Sequence, residues 1–216
     1  MTATLRQGGA LWQLKGQGGV LDETRVTVSL IEEQASHEPF GIAGRRSHFT
    51  PARVAIEEEN GQEESALDEP RASFVGHTLD TPWSPLQLAY FAGCAMWTYL
   101  NMPFLLAWPG VTSQEIAPWM ENGETWRRLQ VTLPSTIASH STMQTLYVGA
   151  DGLLRRHDYD VEIAGGTPGA HYIHDYVSVD GIMFPKRRRI YPRQPDGTAA
   201  SEPLVVSIDL SDFAFG

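Results

Sequence analysis

Histidine, tyrosine and arginine side chains recur in the last third of the chain, and such groups exchange protons or stabilise negative charge. The catalytic candidates among them are His157, Tyr159, Tyr172, His174 and Arg188. A histidine would exchange a proton near neutral pH, a tyrosine would orient a ligand, and an arginine would stabilise developing negative charge. One hypothesis is therefore an enzyme without a cofactor, of the isomerase, cyclase or lyase type.

The arrangement of these candidates depends on how two neighbouring strands pair. His157 and Tyr159 lie on one strand of a predicted hairpin, and Tyr172 and His174 lie on the next. In one register His157 faces His174 and Tyr159 faces Tyr172, whereas in the register one residue away Tyr159 faces His171. Because a slip of one residue turns every side chain to the other face, the sequence leaves both registers open.

No metal site is predicted from the histidines and carboxylates of this hairpin. His171 and His174 are three positions apart, and on an extended strand such residues point to opposite faces. Asp158 and Asp175 offer oxygen ligands, but local spacing assembles no set of three ligands.

Two further kinds of active site are also not supported. His140 lies between Ser139 and Ser141, but the surrounding residues do not form a nucleophile elbow. The glycines from Gly16 to Gly19 lack the lysine and the following helix of a phosphate-binding loop. We therefore predict no cofactor.

Aromatic side chains form a second set of candidates, for binding a flat or apolar ligand. The predicted ligand-binding residues are Tyr90, Trp97, Phe104, Trp119, Trp126 and His140. Tyr90, Trp97 and Phe104 recur at helical spacing, which places them on one face of a helix. Trp119 and Trp126 lie near turn-rich segments, where they would rim the mouth of a pocket. The alternative for all these rings is packing within the core.

One long helix must position the first of these rings. Ser84, Pro85 and Gln87 form a typical helix start, with a capping serine, a proline at the first position and a glutamine three residues after the cap. We predict a helix over about 84–104, which Pro103 ends or kinks.

The rest of the chain is predicted to be antiparallel β-structure of roughly ten strands. The predicted strands cover 10–14, 25–31, 46–49, 53–59, 126–133, 143–148, 153–163, 170–179, 183–191 and 204–210. Short turns such as Asp151-Gly152 and Asp180-Gly181 force neighbouring strands to be antiparallel. The fold class is therefore mainly β (α+β), with a strongly curved sheet or open half-barrel around the helix.

Composition supports one globular domain over residues 1–216 and excludes several classes of protein. Apolar residues make up 42% of the 216 residues, and charged residues make up 19%. The 26 acidic and 16 basic residues leave a net charge of −10, so no nucleic-acid partner is predicted. Cys94, the single cysteine, excludes an internal disulfide and a zinc site of several thiolates.

The sequence shows neither a clean membrane span nor an export signal. The longest apolar stretch, Leu86 to Ala107, is interrupted by polar residues and by Pro103. The residues after Met1 lack a basic start followed by an apolar run. We therefore expect a cytoplasmic protein without membrane insertion, for which a homodimer stays open.

The residues between Trp126 and Asp212 follow a recognisable pattern of strands and turns. It is carried by Tyr147, Asp151-Gly152-Leu153-Leu154, His157-Asp158-Tyr159, His171-Tyr172, Asp180-Gly181-Ile182, Phe184-Pro185 and Arg187 to Arg189. This pattern resembles the half-barrel superfamily of LolA and LppX. The resemblance implies a curved sheet that closes over helices and holds an acyl chain or another apolar ligand. The length of this chain and its expected location are closer to those of a cytosolic, VioE-like member of the superfamily. Such a resemblance implies that a half-barrel can guide small-molecule chemistry without a cofactor.

The leading hypothesis is binding of a small hydrophobic or aromatic molecule in the hollow of the half-barrel, with or without catalysis. The alternative is a structural or protein-partner-binding protein whose core is filled by its own side chains. The first hypothesis requires a cavity large enough for a ligand, and the second predicts that there is none.

Overall fold

The computed structural model describes residues 1–216, which form thirteen strands and two α-helices. The strands are β1 (Thr2–Gly8), β2 (Thr24–Val28), β3 (Ala35–Glu38), β4 (Arg45–Phe49), β5 (Arg53–Glu58), β6 (Glu63–Asp68), β7 (Thr112–Glu121), β8 (Glu124–Thr132), β9 (Met143–Val148), β10 (Leu154–Val161), β11 (Thr167–Val179), β12 (Ile182–Pro192) and β13 (Val206–Ala214). The helices are α1 (Ala10–Leu14) and α2 (Pro85–Asn101), and short 3-10 turns cover Pro70–Phe74, Phe104–Ala107 and Glu162–Ala164.

All thirteen strands belong to one antiparallel sheet, which runs in the order β6-β5-β4-β3-β2-β1-β13-β12-β11-β10-β9-β8-β7. Two meanders, β1 to β6 and β7 to β13, are joined only where β1 pairs with β13. The edge strands β6 and β7 do not pair with each other, so the sheet stays open. The prediction of a mainly β half-barrel around one long helix is confirmed.

The start of helix α2 is the predicted capping box. Ser84 Oγ accepts a hydrogen bond from the Gln87 backbone N–H at 3.2 Å, and Gln87 Oε1 accepts one from the Ser84 N–H at 2.9 Å. The helix ends at Asn101, earlier than predicted, because Met102 is extended and Pro103 has no N–H to continue the ladder. Phe104 therefore lies in a separate 3-10 turn.

Helix α2 is buried on all sides, from Gln87 to Asn101. It packs against β2 to β6 on one side, and Gly93 allows the closest approach, because a Cβ there would lie 2.3 Å from Phe49 Cγ. On the other side Tyr99 contacts strands β10 and β11. Burial therefore does not distinguish the face with Tyr90 and Trp97 from the other faces of the helix. None of the helices is long and apolar enough to span a membrane.

The strand predicted at 10–14 is wrong, since these residues form helix α1. Gly9 has φ of 109°, a backbone conformation that turns the chain out of β1 and favours glycine. Leu11 and Trp12 then pack into the core from a single helical turn. Strands β1, β3, β6 and β7 were not predicted.

The hairpin of β10 and β11 has neither of the two predicted registers. His157 pairs with His171, Tyr159 pairs with Gly169, and Arg156 pairs with Tyr172. The difference arises because the connection contains the 3-10 turn Glu162–Ala164, so it is centred earlier than the Gly165-Gly166 turn expected from the sequence. We define the inner face of the sheet as the face toward α2, and the outer face as the opposite one.

Candidate ligand-binding site

An apolar cleft of about 430 Å³ lies between the C-terminal end of α2 and strands β8 to β12. Hydrophobic residues make up 11 of the 16 that line it. They include Met102 and Phe104 beyond the helix end, Leu146 on β9, and Ile182 and Met183 on β12. Phe104 and Met183 are partly exposed, which leaves the cleft accessible from solvent. The volume falls within the range of about 300–1,000 Å³ typical of small-molecule pockets.

Arg188 is a charged residue that lines this cleft, and it is only 2% exposed. Alternation along β12 turns Arg188 inward, while Arg187 and Arg189 point outward and pair with aspartates. Arg188 Nη2 donates a hydrogen bond of 2.9 Å to the Tyr99 carbonyl oxygen, and its guanidinium lies 5.0 Å from the Tyr99 ring centre. Its Nε has no hydrogen-bond partner.

Arg188 belongs to a buried group of polar side chains on the inner face, which we call the inner polar cluster: Tyr99, His157, Tyr159, His171 and Arg188. Arg188 Nη1 lies 3.3 Å from His171 Nε2, His171 Nδ1 lies 3.4 Å from the Tyr159 hydroxyl, and that hydroxyl lies 2.5 Å from the Tyr99 hydroxyl. The rings of His157 and His171 stack with centroids 5.8 Å apart.

The histidines of the inner polar cluster are neutral. Burial, followed by the Arg188 charge, lowers the pKa of His157 to about 3 and lowers the pKa of His171 well below its usual value. Because an arginine only donates hydrogen bonds, His171 Nε2 must accept, and its proton lies on Nδ1 toward Tyr159. His157 Nε2 donates to Gln144 Oε1 at 2.6 Å.

The structure separates the five catalytic candidates between the two faces of the sheet. His157, Tyr159 and Arg188 lie together on the inner face. Tyr172 and His174 lie on the outer face, where Tyr172 donates a hydrogen bond to Glu121 and its ring stacks on that of His174. The period of two along β11 accounts for this separation.

The aromatic ligand-binding candidates are also dispersed. Only Phe104 among them lines the cleft. Trp97 donates from Nε1 to the carbonyl oxygens of Ser29 and Glu32 at 3.0 and 2.8 Å, so it fixes a loop. Tyr90 packs edge-on against Phe49.

The remaining candidates are two outer tryptophans and one buried histidine. Trp119 and Trp126 lie on the outer face, with both rings edge-on to Tyr147. His140 is buried against Phe91, with ring centroids 4.5 Å apart, and lies 5.0 Å from the Tyr159 ring. Burial lowers the pKa of His140 to about 3, so it is neutral as well.

A second, smaller cavity of about 60 Å³ lies beyond the inner polar cluster. Almost all of its lining is hydrophobic, and Tyr99 and Tyr159 form part of its wall. Arg188 lines the cleft and these two tyrosines line the cavity, so the inner polar cluster separates the two spaces.

Sequence reasoning missed two members of the inner polar cluster. Tyr99 lies outside the helix face on which the apolar spacing placed Tyr90 and Trp97. Because the helix is buried on all sides, that face is no more buried than the others. His171 was considered only as a metal ligand and as a partner in one register. No group of three or more histidine, cysteine or carboxylate side chains is placed to hold a metal ion.

No protein-family model and no curated protein matches the chain. One similar solved structure is a LolA superfamily protein from Nitrosomonas europaea, at 12% sequence identity and a TM-score of 0.51 over 98% of this chain and 82% of that one. Another is a DUF1329 family protein from Desulfovibrio piger, at 11% identity and a TM-score of 0.52 over 98% and 82% of the two chains. At these identities the likeness concerns the fold, and it confirms the LolA-like fold predicted from the C-terminal pattern.

Proposed function

We propose that this protein binds a small hydrophobic molecule in the cleft at the end of α2. The observation that carries the proposal is the open volume of about 430 Å³ behind Phe104 and Met183, with a mostly apolar lining. Removing apolar ligand surface from water there would contribute about 25 cal/mol per Å². The apolar ligand implied by the LolA and LppX resemblance agrees with this proposal.

Protonation favours binding over catalysis as the main role of the site. A general base works best with a pKa near the working pH. The pKa of His157 is lowered to about 3 by burial, so it would be a weak proton acceptor at neutral pH. The proposed roles of His157 and Tyr159 are therefore to hold Arg188 and His171 in a fixed position. A more specific hypothesis is that the protein is a cofactor-free isomerase, cyclase or lyase. It is tested by measuring turnover of the ligand once the ligand is identified.

The alternative of a self-filled core with a protein partner is less favoured. A self-filled core would leave no space of ligand size, and the cleft is that large. The two proposals differ in whether a small apolar probe binds to the purified protein.

Binding is tested with N-phenyl-1-naphthylamine, a neutral probe whose emission rises in an apolar site. We expect saturable binding to the wild-type protein and a dissociation constant raised at least fivefold by Met183→Trp, because the indole would fill the mouth of the cleft. Met143→Trp is the matched control, since Met143 is exposed on β9 away from the cleft. Failure of the probe to bind, or equal weakening by both variants, would count against the cleft.

Three expectations from the sequence, on relationship, location and oligomeric state, remain predictions. They are the VioE-like relationship, the cytoplasmic location and the homodimer. Fractionation of the native host tests the location, and sedimentation equilibrium tests the dimer.

A further inference from the structure

The sheet contains two fully buried arginines, and they differ in their counter-charge. Arg156 on the outer face donates to both oxygens of Asp158 at 2.6 and 2.8 Å, and it also lies 3.1 Å from Glu121. Arg188 on the inner face has no carboxylate partner, and the groups whose charge would favour its protonated form are the hydroxyls of Tyr176, Tyr99 and Tyr159. These tyrosines are neutral at physiological pH, so the Arg188 charge is uncompensated.

An uncompensated buried charge is strongly disfavoured in a folded protein. The contacts that Arg188 makes are one carbonyl oxygen, one neutral imidazole and one aromatic ring. Its Nε–H is buried without any acceptor. Both the charge and this donor would be satisfied by an anion, and Arg188 lines a cleft that is open to solvent.

We propose that the ligand of the cleft is an anionic amphiphile, whose carboxylate or phosphate head group pairs with Arg188 and whose apolar chain occupies the cleft. This inference rests on the proposed binding function and names the class of ligand. The planar guanidinium offers its Nε–H and an Nη–H side by side, a geometry that matches two oxygens of either head group.

The surroundings of Arg188 leave the Nε side of its guanidinium free for such an anion. The 3.3 Å contact to His171 is made from Nη1, on the side away from Nε–H, so an anion on Nε–H and Nη2 would leave this contact in place. The 2.9 Å bond to the Tyr99 carbonyl oxygen would keep the guanidinium in place. The apolar residues around the cleft would surround the rest of the ligand.

The experiment compares decanoate and decyl phosphate with the neutral 1-decanol, all by displacement of N-phenyl-1-naphthylamine at pH 8. Protein is refolded from denaturant to remove any bound ligand. We expect wild-type protein to bind at least one anion at least tenfold more tightly than 1-decanol. Arg188→Met should abolish that preference without changing the affinity for 1-decanol, and the tighter of the two anions identifies the head group.

The matched control is Arg187→Met, which removes the same charge from the neighbouring, exposed position. It should leave all three affinities within twofold of wild type. If wild type binds the three compounds equally, the cleft binds apolar molecules and the anion inference is wrong. If none displaces the probe and the probe itself does not bind, the proposed function fails as well.

A second measurement on wild-type protein does not depend on how the variant folds. Nitrogen-15 NMR of the arginine Nε–H groups should show one resonance that shifts on addition of the bound anion and does not shift with 1-decanol. Absence of any such shift under saturating decanoate and decyl phosphate would overturn the role of Arg188.

Discussion

Arg188 and His171 share a hydrogen bond of 3.3 Å in which the histidine is the acceptor. Burial keeps the imidazole neutral, and the arginine fixes its tautomer and so sets the direction of the chain of hydrogen bonds through Tyr159 to Tyr99. Protonation of His171 would place two positive charges side by side in the core. Burial and this neighbouring charge both lower the pKa of His171, so we expect the protein to lose stability in acid.

The free energy of unfolding should fall as the pH is lowered below about 6.5. Burial lowers the pKa values of four histidines below the usual 6.5. The pKa is about 4 for His37, about 3 for His140 and His157, and well below 6.5 for His171. Between these values and 6.5 the unfolded chain takes up protons that the native state does not. The stability that these histidines contribute is therefore complete above 6.5 and is lost toward acid. Each histidine contributes at most about 1.4 kcal/mol per pH unit.

Urea unfolding between pH 4.5 and 8 measures this loss. His157→Gln should flatten the acid side of the profile, whereas His48→Gln, at an exposed position of β4, should leave its shape unchanged. Equal slopes in all three proteins would contradict the assignment to buried histidines.

Glu33 should have the opposite effect on stability, between about pH 4.5 and 8. Burial raises the pKa of Glu33 to about 8, so between about 4.5 and 8 the native carboxyl keeps a proton that the unfolded chain releases. Its stabilising contribution is therefore lost as the pH rises through this window. Glu33→Gln should make stability nearly independent of pH from 6.5 to 8. The exposed neighbour variant Glu32→Gln should retain the wild-type decline, and a decline in Glu33→Gln as well would assign it to another group.

The two buried arginines should respond in opposite ways to replacement by methionine in the ligand-free protein. Arg156→Met removes the partner of buried Asp158 and should lower the free energy of unfolding by about 3 kcal/mol. Arg188→Met removes an uncompensated charge, so stability should be unchanged or higher. Chemical denaturation at pH 7 compares the two, and a similar loss in both would show that Arg188 has a counter-charge in the empty protein.

Gly93→Ala should destabilise the protein although alanine favours helix formation. The new Cβ would lie 2.3 Å from Phe49 Cγ and 2.4 Å from Phe49 Cβ, so α2 or β4 must shift. We expect a loss of about 1–3 kcal/mol, measured by the urea midpoint. Thr98→Val on the same helix keeps the size of the side chain and replaces a buried hydroxyl without a partner by a methyl group, so it should not destabilise. Equal stability of both variants would contradict the close approach.

Local signals in the sequence were sufficient for the elements with local causes. The capping box at Ser84 and Gln87 depends on four consecutive residues, and β9 (Met143–Val148) was predicted with the observed bounds. The alternation that turns Arg188 away from Arg187 and Arg189 also has a local cause, because a strand has a period of two.

The arrangement of the site could not be predicted, because it depends on pairing between distant residues. A 3-10 turn at Glu162–Ala164 shifted the hairpin register and brought His157 opposite His171. The contrast between Arg156 and Arg188 depends partly on Asp158, two residues along the same strand as Arg156, and partly on Glu121, which lies on β7. Helix α1 was missed since five residues carry too little periodicity to distinguish a helical turn from a short strand.

The pairing of β1 with β13 also bears on how fast the sheet forms. Thr2 lies opposite Ala214, so the central seam of the sheet joins residues from the two ends of the described chain. Contacts of such high sequence separation form slowly, because a long loop must close before they contribute. Until β13 has formed, β1 is an unpaired strand edge, and such edges are prone to pair with other chains.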